Sequence, residues 1–77
     1  MVNFHPAVVE ATREIHPEGT RVELVAMKDE QAPPVGTKGT VQFVDDMAIV
    51  HVQWETGSTL GLVPGVDKWQ IIKEETA

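Results

Sequence analysis

One stretch decides the fold of this 77-residue chain: Gly36-Thr-Lys-Gly-Thr-Val-Gln-Phe-Val-Asp-Asp-Met-Ala-Ile-Val-His-Val-Gln-Trp-Glu-Thr-Gly-Ser58. Apolar and polar residues alternate on both sides of Asp45-Asp46, which is the pattern of two antiparallel strands joined by a tight acidic turn. A second turn is closed by Gly57, because glycine adopts positive φ without steric cost. The stretch therefore predicts a small, barrel-like β module.

The alternation continues outward from this stretch in both directions. It predicts five strands, over residues 21–27, 39–44 and 48–54, then a short one with Leu60 and Leu62, and finally 68–73. A polar loop from Lys28 to Pro34 precedes the second strand, and a tight turn from Val63 to Asp67 precedes the last. The side chains expected to face the core are Val22, Leu24, Val41, Phe43, Val50, Val52, Trp54, Leu60, Leu62 and Ile71 or Ile72, whereas His51 and Gln53 are expected to face water.

Residues 6–15 follow the period of a helix instead. Pro6 suits a first helical turn, and His16-Pro17 ends the helix because the residue before a proline is pushed out of the helical region. The apolar face at helical spacing is expected to be Val8, Ala11, Thr12 and Ile15. A helix this short is marginal alone in water, so it is expected to pack on the barrel. The predicted organisation is a single domain with an N-terminal helical segment (1–18), a barrel (19–73) and a frayed tail (74–77).

The composition limits the functional classes. Six Lys and Arg stand against twelve Asp and Glu, for a net charge of −6, and the basic residues are scattered singly along the chain. Because nucleic-acid affinity depends on cations that neutralise phosphates, free nucleic acid is not an expected partner. The sequence has no cysteine, no apolar run of the roughly 20 residues that span a bilayer, and no basic-then-apolar leader. A monomeric cytoplasmic protein that does not contact membranes is expected.

No combination of residues points to catalysis, a cofactor or a metal. His5, His16 and His51 lie in different predicted elements, without the close spacing of a metal-binding pair. Asp45-Asp46 is interpreted as a turn, since calcium needs roughly six to eight oxygen ligands. Ser58, the only serine, has no histidine nearby in sequence to activate it. The chain is therefore expected not to be an enzyme.

Five short strands, a long first loop and a one-turn break before the last strand follow the order of SH3-like barrels. Five segments carry a more specific likeness: Pro17-Glu-Gly-Thr-Arg-Val-Glu-Leu-Val, Ala32-Pro-Pro-Val-Gly-Thr-Lys-Gly-Thr-Val, Val44-Asp-Asp, Val52-Gln-Trp-Glu-Thr-Gly-Ser and Gly65-Val-Asp67. In this order they resemble a family of small bacterial proteins, domain of unknown function 4314, from Phe4 to about Ile72. The chain departs from the family's pattern at Ala48, where glycine is common, and at Pro64.

This resemblance implies an SH3-like barrel, genes derived from phages, plasmids or transposons, and no known activity. More distantly, Gly36-Thr-Lys-Gly-Thr-Val together with Val52-Gln-Trp-Glu is similar to the KOW-type SH3-like modules of ribosomal proteins and elongation factors. That similarity implies contact with RNA or with protein.

The predicted function is a non-catalytic binding or accessory module that contacts another protein. A partner groove is expected between the long first loop and the Val63–Asp67 turn, at Trp69, Pro64, Asp29, Pro33 and Pro34. Trp69 is interpreted either as the anchor of this groove or as a residue that closes the barrel. The chain has no tyrosine, so recognition of polyproline, which needs an aromatic groove, is not expected. Two alternatives stay open: a KOW-like module that contacts RNA or DNA, and an acidic nucleic-acid mimic that inhibits a DNA-binding enzyme.

Overall fold

The computed structural model describes residues 5–73. Its elements are α1 (Pro6–Ile15), β1 (Arg21–Ala26), β2 (Lys38–Val44), β3 (Val50–Trp54), β4 (Thr59–Leu62) and β5 (Lys68–Ile71). The five strands form one antiparallel sheet in the order β4-β3-β2-β1-β5. The predicted architecture, mainly β with one N-terminal helix in a small barrel-like fold, is confirmed. The predicted frayed tail, 74–77, lies outside the described residues.

One face of the sheet carries the core. Its buried cluster consists of Val22, Leu24, Val41, Val44, Val50, Val52, Trp54 and Leu62, with Met27, Leu60 and Trp69 packed against it. Period two therefore predicts most of the inward set correctly. Trp54 is a core residue, and its indole N–H donates to the Leu60 carbonyl at 3.2 Å. That bond satisfies the only polar group that the ring brings into the core.

The inward prediction for Phe43 is wrong. Val41 pairs with Val52, but the next pair is Phe43 with His51, so β2 contains a β-bulge between Val41 and Phe43. The extra residue reverses the alternation of side chains, which moves Phe43 to the outer face and brings Val44 into the core. Phe43 is 54% exposed and stacks on the His51 ring, with centroids 4.3 Å apart. His51 consequently lies against this ring rather than in open water.

A second irregularity affects the pairing of β1 with β5. The register shifts between Leu24 and Ala26, and both Val25 and Ala26 are exposed. Ile71 lies on the core face, because it pairs with the buried Val22, but it is 45% exposed. Its exposure follows from the position of β5 at the edge of the sheet, where no further strand of residues 5–73 covers it. Neither Ile71 nor Ile72 is a buried core residue.

The helix has the predicted bounds but not the predicted packing face. Pro6 occupies the first turn, and the His5 side chain caps the helix by accepting from the Ala7 N–H at 3.1 Å. Val9 is buried, whereas Val8 is 39% and Ile15 58% exposed. The helix packs against β2. The face that the helix buries is thus rotated from the predicted one.

A single carboxylate organises the turn between β2 and β3. One oxygen of Asp45 accepts from the backbone N–H groups of Met47 and Ile49, at 2.9 and 3.0 Å, and the other lies 2.8 Å from Nε2 of His51. The structure thus agrees with the interpretation of Asp45-Asp46 as a turn. Ala48 has a φ of 63° in this turn and is fully buried. This left-handed conformation favours glycine, which explains why a glycine suits the position where this chain has alanine.

Candidate functional site

An open concavity lies beside β5 and the turn that precedes it. This open groove has a volume of about 540 Å³ and is called the Trp69 groove below. It is lined by Val25, Pro64, Gly65, Asp67, Lys68, Trp69 and Gln70. Its walls thus combine apolar surface from Val25, Pro64 and Trp69 with polar and charged groups at Asp67, Lys68 and Gln70, a mixture that suits a binding surface.

Trp69 is held in place from the N-terminal helix. Its indole N–H donates to Nε2 of His16 at 3.0 Å, and Nδ1 of His16 lies 2.8 Å from the Thr12 carbonyl oxygen. An indole can only donate, so Nε2 must be the acceptor and the proton of the neutral ring must lie on Nδ1, which donates to Thr12. His16 is only 8% exposed. The half-buried Trp69 ring therefore has a fixed orientation, packed on the core and tied to the helix end.

The other wall of the groove is a pinned turn. The backbone N–H groups of Val66 and Asp67 both donate to the Val63 carbonyl, at 3.0 and 2.9 Å. The Asp67 carboxylate in turn accepts from the Val63 N–H at 2.8 Å. Gly65 has a φ of 85°, a conformation that residues with a side chain rarely adopt. These bonds hold Pro64 and Gly65 in position opposite Trp69, so the chain itself fixes both walls of the groove.

Three of the five residues predicted for a partner site lie at grooves. Trp69 and Pro64 both line the Trp69 groove. Asp29 lines a second concavity of about 260 Å³, which shares Asp67 with the first. Pro33 is buried, and Pro34 is exposed but lines neither of these concavities.

Sequence reasoning missed two residues that shape the Trp69 groove. Val25 is an apolar residue at a position of β1 where the alternation calls for a polar one. The signal in the sequence is the continuous apolar run Leu24-Val25-Ala26-Met27, which indicates an exposed apolar residue there. His16 was interpreted as the end of the helix, and it does form the C-cap. No local pattern could have shown that its ring bonds Trp69, 53 positions further along the chain.

The three histidines each have a structural partner. His5 caps the helix, His16 bonds Trp69 and His51 bonds Asp45. Among residues 5–73 there is no group of three or more side chains that could hold a metal ion. The same described residues contain no helix that is long and apolar enough to cross a membrane.

Both arginines make polar contacts within the chain. Arg13 bonds Asp46 at 2.8 Å and the Val44 carbonyl at 3.1 Å. Arg21 bonds both Glu55 and the Thr40 hydroxyl on the outer face of the sheet. These guanidinium groups are therefore committed to contacts within the chain.

Comparison with known sequences identifies the family. The sequence profile described as Domain of unknown function (DUF4314) matches residues 5–72. The chain belongs to this family. No curated protein and no solved structure matches it. The match covers the helix, all five strands and every residue of the Trp69 groove, so the groove is part of the DUF4314 domain itself.

Proposed function

We propose that this DUF4314 domain is a non-catalytic module that binds another protein through the Trp69 groove. The observation that carries the proposal is the fixed Trp69 ring, which forms one wall of the groove while Pro64 forms the other. Tryptophan is enriched at the centres of protein interfaces because its large rigid ring buries much surface at a small entropic cost. A groove whose walls are already held by hydrogen bonds loses little further freedom on binding.

The pairing of both arginines with carboxylates favours a protein partner over RNA or DNA. Arg13 and Arg21 are both engaged with carboxylates, so they contribute little to neutralising phosphates. Arginine is also the residue best suited to bidentate contacts with phosphates and bases, and neither arginine is available for them. This weakens the alternative of a KOW-like module that contacts nucleic acid.

The carboxylates argue against an acidic mimic of nucleic acid. Asp45 and Asp67 accept hydrogen bonds within turns, and Asp46 and Glu55 pair with arginines. A mimic needs a row of uncompensated negative charges that presents the spacing of phosphates. Here these four carboxylates bond backbone N–H groups or arginines of the same chain. The net charge of −6 serves solubility.

The setting that accompanies this proposal is the bacterial cytoplasm, in genes carried by phages, plasmids or transposons. The absence of cysteine supports a compartment in which disulfides do not form. The association with mobile genes rests on the family resemblance alone. The module acts as a monomer that docks on its partner.

Site-specific photo-crosslinking in the source cell tests the proposal. A photoreactive amino acid is placed at Val25, which lines the groove and is 43% exposed, or at Val8, which lies on the helix and is 39% exposed. We expect a specific protein adduct from Val25 and not from Val8, identified by mass spectrometry. Equal adducts from both positions, or none from Val25, would contradict the proposal.

The partner is then purified and its affinity measured with matched variants. Val25→Asp should weaken binding by about tenfold or more, because it places a charge on the apolar wall, whereas Val8→Asp should leave binding unchanged. Both sites are exposed valines, so both variants are expected to fold, which circular dichroism verifies. A Val25→Asp protein that is folded and binds normally would remove the groove from the interface.

A further inference from the structure

The edge of β5 presents unpaired backbone groups beside the Trp69 groove. The Ile72 N–H donates to the Arg21 carbonyl, which makes these two residues a hydrogen-bonded pair of the antiparallel ladder. Pairs alternate along such a ladder, so Val22 with Ile71 and Leu24 with Trp69 are the non-hydrogen-bonded pairs. The N–H and C=O groups of Trp69 and Ile71 therefore point away from β1. The Leu24 N–H agrees with this alternation, because it donates to the Thr37 carbonyl, on the side of β1 that faces away from β5.

No described residue pairs with these outward groups. β5 is the last strand of the sheet, and within residues 5–73 no backbone hydrogen bond to Trp69 or Ile71 exists on that side. An open edge of this kind is a template for a further strand. The Trp69 and Ile71 side chains lie on the core face, where Ile71 is 45% exposed. A strand added here would cover Ile71 and extend the wall of the Trp69 groove.

Two lysines give this edge a charge that the other edge lacks. Lys68 begins β5 and Lys73 follows it by two residues, and both are exposed. In the described part of the chain neither has a carboxylate partner, in contrast to Arg13 and Arg21. The opposite edge, β4, has the sequence Thr-Leu-Gly-Leu without a charge, and Lys68 lines the groove whereas no residue of β4 does.

We propose that the segment recognised at the Trp69 groove is an extended, acidic peptide that adds as a strand to β5. This inference rests on the proposed function and names the chemistry of the partner. Antiparallel addition sets apolar side chains opposite Ile71 and Trp69 and carboxylates opposite Lys73 and Lys68. The segment then reads acid, any residue, apolar, any residue, apolar, acid. Its apolar residues bury the exposed side of Ile71 and Trp69, and its carboxylates pair with Lys68 and Lys73.

The probe is the synthetic peptide acetyl-Glu-Thr-Val-Thr-Val-Glu-amide, titrated into ¹⁵N-labelled protein. We expect the backbone amide signals of Trp69 and Ile71 to move and their hydrogen exchange to slow, while those of Thr59 and Gly61 on β4 stay unchanged. Changes confined to β4, or no change at any concentration, would overturn the proposal. A concentration-dependent dimer that protects Trp69 and Ile71 without peptide would overturn it too, in favour of pairing between two copies.

Backbone methylation tests strand addition separately from charge. The two valine N–H groups of the peptide face β5, whereas the two threonine N–H groups face away. N-methylation of either valine should weaken binding by at least about tenfold, because it removes a hydrogen bond and sets a methyl group against the strand. N-methylation of either threonine should have little effect. Equal losses at all four positions would reject strand addition.

Charge reversal tests the acidic flanks. The double variant Lys68→Glu, Lys73→Glu should bind the original peptide about fivefold more weakly, as expected from two exposed ion pairs, and should prefer the peptide with lysine at both ends. An unchanged preference would show that the acidic chemistry is wrong. A protein captured by the Val25 crosslinker whose binding depends on neither lysine would support the proposed function and reject this inference, so the two can fail independently.

Discussion

Asp45 holds the β2–β3 turn with both of its carboxylate oxygens. Partial burial of the group opposes ionisation, but the bond with His51 and the N–H groups of Ile49 and Met47 outweigh it and lower the pKa of Asp45 below its ordinary value. A carboxyl whose pKa is lower in the folded state stabilises the fold above its pKa in the unfolded chain, which is about 3.9. That contribution is lost as the pH falls through the folded pKa.

The replacement Asp45→Asn keeps an oxygen for the turn N–H groups and removes the charge. We expect it to lower the free energy of unfolding at neutral pH, and the difference from the unaltered protein to shrink as the pH falls below about 4. Urea unfolding at a series of pH values measures this difference. The control is Asp46→Asn, whose side chain is 97% exposed and bonds Arg13 of the helix, and which should change stability little. A difference for Asp45→Asn that persists in acid would show that the charge is unimportant.

Gly39 is the position where the core leaves least room for a side chain. A Cβ atom there would lie 2.5 Å from Cγ1 of Val52, 2.8 Å from the Trp54 ring and 2.9 Å from the Gln53 carbonyl oxygen. At Gly61 the one tight contact would be with the Cγ2 methyl group of Ile49, also at 2.5 Å, while the nearest backbone atom lies 3.9 Å away. A half-buried side chain can rotate away, whereas a paired backbone carbonyl and two buried side chains cannot.

We therefore expect Gly39→Ala to lower the free energy of unfolding by about 3 kcal/mol and Gly61→Ala by less than about 1 kcal/mol. Chemical denaturation of the two variants beside the unaltered protein measures both values. Equal costs would mean that β2 and β3 separate more easily at Gly39 than their packing indicates.

The N-terminal helix is joined to the sheet by contacts of three kinds. Val9 supplies apolar burial, Arg13 bonds the Val44 carbonyl and Asp46, and His16 bonds Trp69. These residues follow one another at spacings of four and three, so they lie on one face of the helix. Polar groups thus make up much of the interface between the helix and the sheet, which is why the spacing of apolar residues alone does not predict the buried face.

Two adjacent valines distinguish the observed face from the predicted one. Val9→Ala should lower the free energy of unfolding by about 1–2 kcal/mol, because a buried valine loses two methyl groups. Val8→Ala should change it by less than about 0.5 kcal/mol, since Val8 is partly exposed and alanine favours the helix. Thermal and urea unfolding of both variants supply the comparison, and a larger loss at Val8 would restore the face predicted from the sequence.

The whole molecule combines one small core with an acidic surface. Its radius of gyration is 12.0 Å, the value of a compact chain of this length. At a net charge of −6, long-range electrostatics repel polyanions, and the two arginines are engaged within the fold. Any attraction of an anionic peptide must therefore be local, at Lys68 and Lys73, and short in range at physiological salt.

Free nucleic acid is accordingly expected not to bind at physiological salt. Fluorescence anisotropy with labelled single-stranded and double-stranded DNA and RNA of mixed sequence measures this. We expect affinities weaker than about 100 μM, because few cations are available to displace counterions. Sub-micromolar affinity for generic DNA or RNA would instead favour the KOW-like alternative.

The sequence by itself determined the number, order and type of the elements. Alternation of apolar residues marked the strands, and Pro6 and His16-Pro17 marked both ends of the helix correctly. These signals succeed because each acts within a few residues of the chain. Trp69 and Pro64 were also placed beside the groove, since a turn and the strand after it are neighbours in any fold.

Only the tertiary structure decided which faces are buried and what the groove contains. The bulge that turns Phe43 outward becomes visible when β2 is paired with β3, because an extra residue is defined only against its partner strand. The helix buries Val9 and His16 because their partners lie on β2 and β5, far along the chain. Pro33 is buried and Val25 is exposed. The local sequence pattern predicts neither, because it does not show which surface another element covers. Burial and the orientation of Trp69 depend on contacts between distant residues, and those contacts form only when the strands and the helix pack around the core.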